Sequence, residues 1–126
     1  DLHQPLHTGY AVDKGGNTIE ITSNSVSGNL HSVWDTQIID AKNITADSCL
    51  QLYATLDTVE IAEMKKINEL KWMYQSRSFL DTVYSFKNNF LDKNYIDGNA
   101  DIIKKQLVIA GLRLASILSS IFGSQS

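Results

Sequence analysis

At 126 residues the chain suits one compact domain, and an apolar fraction of 43% supplies a core and excludes a disordered segment. A formal charge of −3 and a pI near 5.5 exclude a protein that grips nucleic acid through a broad Lys/Arg face. Any phosphate-binding role must therefore take its positive charge from elsewhere, and bound metal cations are one such source.

Residues 1–28 are rich in turn formers, with Gly9, Gly15, Gly16 and Gly28 as punctuation. Thr18 to Thr22 alternates β-branched residues, which predicts a short strand, with a weak return strand after the Ser23–Gly28 turn. Asn29 is a favourable N-cap for a helix through about Asp40, whose apolar residues are Leu30, Val33, Trp34, Ile38 and Ile39. Cys49, Leu52, Leu56, Val59 and Ala62 recur at helical spacing and predict one helix across roughly 46–68. A further helical stretch from Leu70 to Met73 continues it or follows closely. Phe79, Val83, Phe86 and Phe90 form one row beside Leu80, Tyr84 and Leu91, so a helix is expected over 77–91. Asp97-Gly98-Asn99 is expected to break the chain. A long amphipathic helix then runs through Ile103, Leu107, Ala110, Leu114, Ile117 and Ile121 to a stop near Gly123. Trp72, Tyr74, Phe79 and Phe86 are expected in the core. The apolar stretch from Leu107 to Phe122 is too short to span a bilayer and carries Arg113, so no membrane segment is expected. The fold class is mainly α with a short β-hairpin near the N-terminus. The organisation is one domain over 1–126, with 1–40 as a metal-site segment and 41–126 as a helical core.

The single cysteine, Cys49, has no partner within the chain. It is either a buried thiol or one half of a bridge to a segment outside these residues. Asn43-Ile44-Thr45 is an acceptor pattern for N-glycosylation at Asn43, which points towards secretion. The chain opens without Met or a signal peptide, and Asp1 stands directly inside a motif, so upstream residues are expected elsewhere.

All three histidines, His3, His7 and His31, fall in the first quarter of the chain, accompanied by Asp1 and Asp35. His31 and Asp35 are four apart on a predicted helix and share one face. A rigid element can thus offer one cation an imidazole nitrogen and a carboxylate oxygen, with His7 as the best placed third ligand. Three protein ligands leave a position open for water or phosphate, the arrangement of catalytic rather than structural zinc. The plainer alternative is a weak surface pair of His31 and Asp35, with His3 packed beside Pro5.

These residues stand in recognisable motifs. Asp1-Leu2-His3-Gln4-Pro5-Leu6-His7-Thr8-Gly9 resembles the D-x-H-Q-P-L-H segment of the class I single-strand-specific zinc nucleases, the group that includes mung bean nuclease. Asp13-Lys14-Gly15-Gly16-Asn17 is similar to that family's D-x-G-G-N stretch, and Asn29-Leu30-His31-Ser32-Val33-Trp34-Asp35 to its N-L-H-x-V-W-D segment. Gly111-Leu112-Arg113-Leu114-Ala115 resembles its last helix. Order and spacing agree, with a weaker middle, and the chain looks like the C-terminal half of such an enzyme.

The resemblance implies a helical fold shared with bacterial zinc phospholipase C and a site of three zinc ions. Of these, His7, His31 and Asp35 would hold one, and Asp1 would bridge the other two as the catalytic carboxylate. Asn17 matches an asparagine near the substrate, while Trp34 and His3 match supporting positions. The remaining family ligands, including the mature N-terminal residue, have no counterpart here, so one complete zinc site is expected. The implied reaction is hydrolysis of phosphodiester bonds in single-stranded DNA and RNA to 5′-phosphorylated products, with 3′-nucleotidase activity beside it. A close zinc pair would make hydroxide available near neutral pH, and the third zinc would stabilise phosphate charge. The enzyme would be secreted or lumenal, without a membrane segment, and a monomer once joined to its missing N-terminal half. The chain alone is expected to be nearly inactive. The alternatives are a zinc phospholipase C of the same superfamily, against which the D-x-G-G-N stretch argues, and a non-catalytic truncated helical module.

Overall fold

A computed structural model of the chain, describing residues 1–123, opens with two short 3-10 turns, Pro5–Thr8 and Ala11–Asp13. Gln4 starts the first of them: its side-chain oxygen accepts from the Leu6 amide at 2.6 Å, and Pro5 has its φ preset for a first helical residue. Strand β1 (Glu20–Ser23) pairs antiparallel with β2 (Gly28–Asn29), which is the expected hairpin.

Leu30–Ala41 is helical throughout but changes register. It comprises α1 (Leu30–Ser32), a π-helical turn over Val33–Gln37, and α2 (Ile38–Ala41). Asn29 caps it as expected, its side-chain oxygen accepting from the Ser32 amide at 2.8 Å. The single helix expected over 46–68 is two, α3 (Ala46–Tyr53) and α4 (Thr58–Met64). Each begins with its own capping box, Thr45 with Ser48 and Asp57 with Glu60, and these local bonds start a new helix at Asp57 where the apolar spacing runs on. The stretch around Leu70–Met73 is the middle of α5 (Glu69–Arg77), capped by Asn68.

The helix expected over 77–91 is also corrected. Only α6 (Leu80–Val83) is helical there, and Asn88 and Asn89 turn the chain at φ of 55° and 52°, the left-handed region that Asn tolerates best after Gly. The chain then enters β3 (Phe90–Leu91), which lies parallel to β1 and completes a sheet of order β2-β1-β3. Nor does Asp97-Gly98-Asn99 break the chain: helix α7 runs without interruption from Lys93 to Phe122, started by the Asp92 side chain. Asp97 is held by Lys42 and Lys93, and the buried Asn99 side-chain NH2 donates to the Tyr95 carbonyl, contacts that helical backbone allows. With its true start at Lys93, α7 is long and apolar enough to cross a membrane by length and composition, unlike Leu107–Phe122 alone.

The core joins the first 40 residues to the stretch from Leu80 to Ile103. Leu6, Leu30, Val33, Trp34 and Ile38 pack with Leu80, Val83, Leu91 and Ile96, each burial contributing about 1.5–3 kcal/mol. Trp34 donates from Nε1 to the Tyr95 hydroxyl at 3.0 Å, and Tyr95 donates on to the Val83 carbonyl. Burial pushes the Tyr95 phenol well above its usual range, so the relay stays neutral. Of the expected core aromatics, Trp72 is buried and Phe79 and Phe86 are half-buried. Tyr74 is 61% exposed, because it points away from the face of α5 that carries Trp72 and Ser76.

Candidate metal centre

Three backbone segments converge at the end of α1. The 3-10 turn brings His7 forward, the loop over residues 13–17 passes beneath, and the Leu30–Ala41 helix presents His31 and Asp35. The glycine pair of the loop is required sterically. Gly15 has φ +62°, and a Cβ there would lie 2.5 Å from the Leu6 carbonyl oxygen. Asp13 holds the loop's shape by accepting from the Gly16 amide at 3.0 Å and from the Tyr84 hydroxyl at 2.5 Å.

The purpose of that approach is visible at His31. Its Nδ1–H donates to the Gly15 carbonyl at 2.7 Å, which fixes the ring and leaves the Nε2 lone pair free. Nε2 stands 3.2 Å from Asp35 Oδ2, and His7 Nε2 stands 3.1 Å from Asp35 Oδ1. One ligand atom from each of His7, His31 and Asp35 lies within 4.8 Å of the others. Tetrahedral zinc, with bonds of about 2.0–2.1 Å, needs its ligand atoms roughly 3.3 Å apart, so the set fits one such cation with small adjustments. The two imidazole nitrogens thus face the two oxygens of one carboxylate, a donor set chemically suited to a zinc-like cation. Burial pushes the Asp35 carboxyl up, but hydrogen bonds from Gln4 and His7, with the His31 and His7 charges, hold it below the usual carboxylate range overall.

The other sequence-predicted residues are placed as follows. Asp1 is fully exposed, 3.9 Å from His7 Nδ1, on the far side of that ring from Asp35; it adjoins the cluster without joining it. Asn17 lies on the exposed loop, its amide donating to the Lys14 carbonyl at 2.8 Å. Asn43 is exposed with φ +51°, and Thr45 of its tripeptide is the N-cap of α3. Trp34 is core, as described. Cys49 is a free, half-buried thiol in α3. Sequence reasoning missed Gln4, whose Nε2 donates to Asp35 Oδ1 at 2.8 Å while its Oε1 caps the His7 turn. The only signal was its motif position before Pro5.

His3 faces away from the cluster into the helices. Its Nε2 accepts from the Arg113 guanidinium at 2.8 Å, and its ring lies 5.7 Å from that of Trp72. Burial, and then the Arg113 charge, lower its pKa from 6.5 to about 4. The folded chain thus keeps His3 neutral where the unfolded chain protonates it. The resulting stability is fully present above pH 6.5 and is lost as pH falls through 6.5 towards 4. Urea midpoints measured in chelator should fall across that interval. In His3→Gln, which keeps an acceptor for Arg113 but cannot titrate, the fall should be visibly shallower; an identical pH profile for the two chains would refute the assignment.

The family described as S1/P1 Nuclease matches residues 1–123. The chain is similar to Endonuclease 4 of Arabidopsis thaliana, 34% identical over 99% of this chain and 48% of that protein. It is similar to Endonuclease 2 of the same plant, 30% identical over 98% of this chain and 48% of that protein. Nuclease P1 of Penicillium citrinum is 28% identical over 99% of this chain and 55% of its own length. The chain spans about half the length of the curated relatives it matches.

Proposed function

The chain belongs to the S1/P1 nuclease family, and from that membership we propose that it supplies part of the catalytic centre of a zinc-dependent endonuclease. The substrate is single-stranded DNA and RNA, cut at phosphodiester bonds to leave 5′-phosphorylated products, with removal of 3′-phosphates as a related activity. The observation that carries this reading is the His7–His31–Asp35 cluster on a scaffold that fixes the His31 ring through Gly15. These three side chains would hold one zinc. Bound there, the ion supplies Lewis-acid stabilisation of phosphate charge, which an acidic chain lacks otherwise.

The chain's own groups prepare that chemistry. Gly15 selects the His31 tautomer, and Gln4 orients the Asp35 carboxylate. Asp1 projects into solvent beside His7, where it can serve a neighbouring cation as a bridging ligand. Asn17 stands on the same loop as Gly15 and is the candidate substrate contact. The exposed Asn43 acceptor supports a secreted or lumenal enzyme. The rest of the family length would bring the remaining ligands.

The test has two arms. The full-length protein is expected to cleave single-stranded DNA in preference to duplex, with zinc required after chelation. Hydrolysis of a choline phospholipid instead of DNA would select the phospholipase reading. The 126-residue chain, folded as judged by circular dichroism, should retain one zinc after dialysis and show little nuclease activity. Three retained zinc ions per chain would contradict the assignment.

A further inference from the structure

We propose that Arg113, buried at 5% exposure and outside the cluster itself, is a positioning residue for the metal-binding segment, holding residues 1–7 in the geometry that the cation needs. This rests on the metal-site reading above. The guanidinium uses its planar fork in three directions: Nε donates to the Met64 carbonyl at 3.2 Å, one terminal nitrogen to Gln75 Oε1 at 2.6 Å, and the other to His3 Nε2 at 2.8 Å. Its carbon lies 4.9 Å from the Trp72 ring centroid, so the plane is stacked as well as bonded. Arg113 therefore ties the end of α4, the face of α5 and the start of the chain to α7 through one group.

The grip on the first residues is reinforced on both sides of His3. Ser76 donates to the Leu2 carbonyl, and Gln106 donates from Nε2 to the His3 carbonyl at 3.0 Å. The next residue is Gln4, which caps the His7 turn and holds Asp35. The path from Arg113 to the cluster is thus one imidazole, one peptide unit and one amide side chain. A short segment of turn and 3-10 backbone has little stiffness of its own, so its geometry is borrowed from these anchors. Lysine cannot replace the fork, because one ammonium cannot serve His3, Gln75 and Met64 in a single plane.

The experiment compares wild type, Arg113→Met, Arg113→Lys, His3→Phe and Asp35→Ala in the full-length protein. Zinc retention is titrated with a competing chelator. Amide hydrogen exchange of the metal-free protein is then read at Leu6 and His7, against α5 and α7 as internal references. Arg113→Met should need about 10–100-fold less chelator to lose the zinc that Asp35→Ala also loses, the range seen when a ligand's supporting partner is removed. Exchange should speed up at Leu6 and His7 while α5 and α7 remain protected, a pattern that general loosening would not produce. Arg113→Lys should recover part of the retention. If Arg113→Met does not fold, His3→Phe decides, since it deletes the acceptor and leaves the Gln75 and Met64 bonds intact. Unchanged zinc retention and unchanged exchange at Leu6 and His7 in a folded variant overturn the proposal. If wild type and Asp35→Ala retain zinc equally, the metal-site reading has failed first and the proposal falls with it.

Discussion

Asp35→Ala is expected to abolish tight zinc binding at the triad, with the affinity falling by more than the roughly 100-fold upper range for losing a mere supporting partner. Asp35 is the only anionic ligand of the three, and both its oxygens are engaged, one with His7 and Gln4 and the other with His31. The metal-free fold should tolerate the change, because the side chain is 37% exposed and lies outside the apolar core. The contrast between the two states is the signature. At zinc near 100 times its dissociation constant, the wild-type chain gains about 2.7 kcal/mol of stability over its metal-free form, and the variant gains none. Denaturation of both chains with zinc and with chelator measures this directly. A zinc-dependent gain of wild-type size in Asp35→Ala would remove the carboxylate from the ligand set.

Gly15→Ala should be the most damaging single-methyl change near the site. An ordinary residue at φ +62° costs about 1–2 kcal/mol. The added Cβ would also sit 2.5 Å from the Leu6 carbonyl oxygen, which is backbone and cannot swing aside. The summed cost is roughly 2–4 kcal/mol, a drop in thermal midpoint on the order of 10 °C. Zinc binding should weaken too, since the displaced loop carries the carbonyl that fixes the His31 ring. Gly98→Ala is the matched control: nothing lies within 4 Å of its Cβ position inside α7, and alanine is the better helix former there. Equal thermal midpoints for the two variants would contradict the steric account.

These two positions show what was legible in the sequence. His31 and Asp35 could be placed on one helix face from their spacing, because helical geometry is local and periodic. His7 was legible only as the best placed third candidate, and the structure brings its Nε2 to 3.1 Å from Asp35. Gly15 was readable as a turn but not as the residue whose carbonyl sets a histidine tautomer, since a backbone acceptor leaves no mark on residue identity. Gln4 was hidden for a related reason: its two contacts point to positions 2 and 31 residues away, and only the nearer one has a sequence signature. The fold shows the same division. The Asn29 cap and the hairpin are local and were anticipated. The helix starting at Asp57 was also written locally, in a capping box, but the apolar rhythm was read across it. The strand at Phe90–Leu91 is different, because its reason for being extended is a neighbour near residue 22, out of reach of any local pattern. Asp97-Gly98-Asn99 looked like a turn because Asp97 and the Asn99 side-chain NH2 find their partners only in the assembled helix.

The anchors of the first residues span 74, 103 and 110 positions of sequence. Contacts of that separation close the largest loops a chain of this size can form, and they are the slow ones to make. Residues 1–7 are therefore synthesised well before Ser76, Gln106 and Arg113, which support them, and the geometry of the His7 turn is among the last features of this fold to mature.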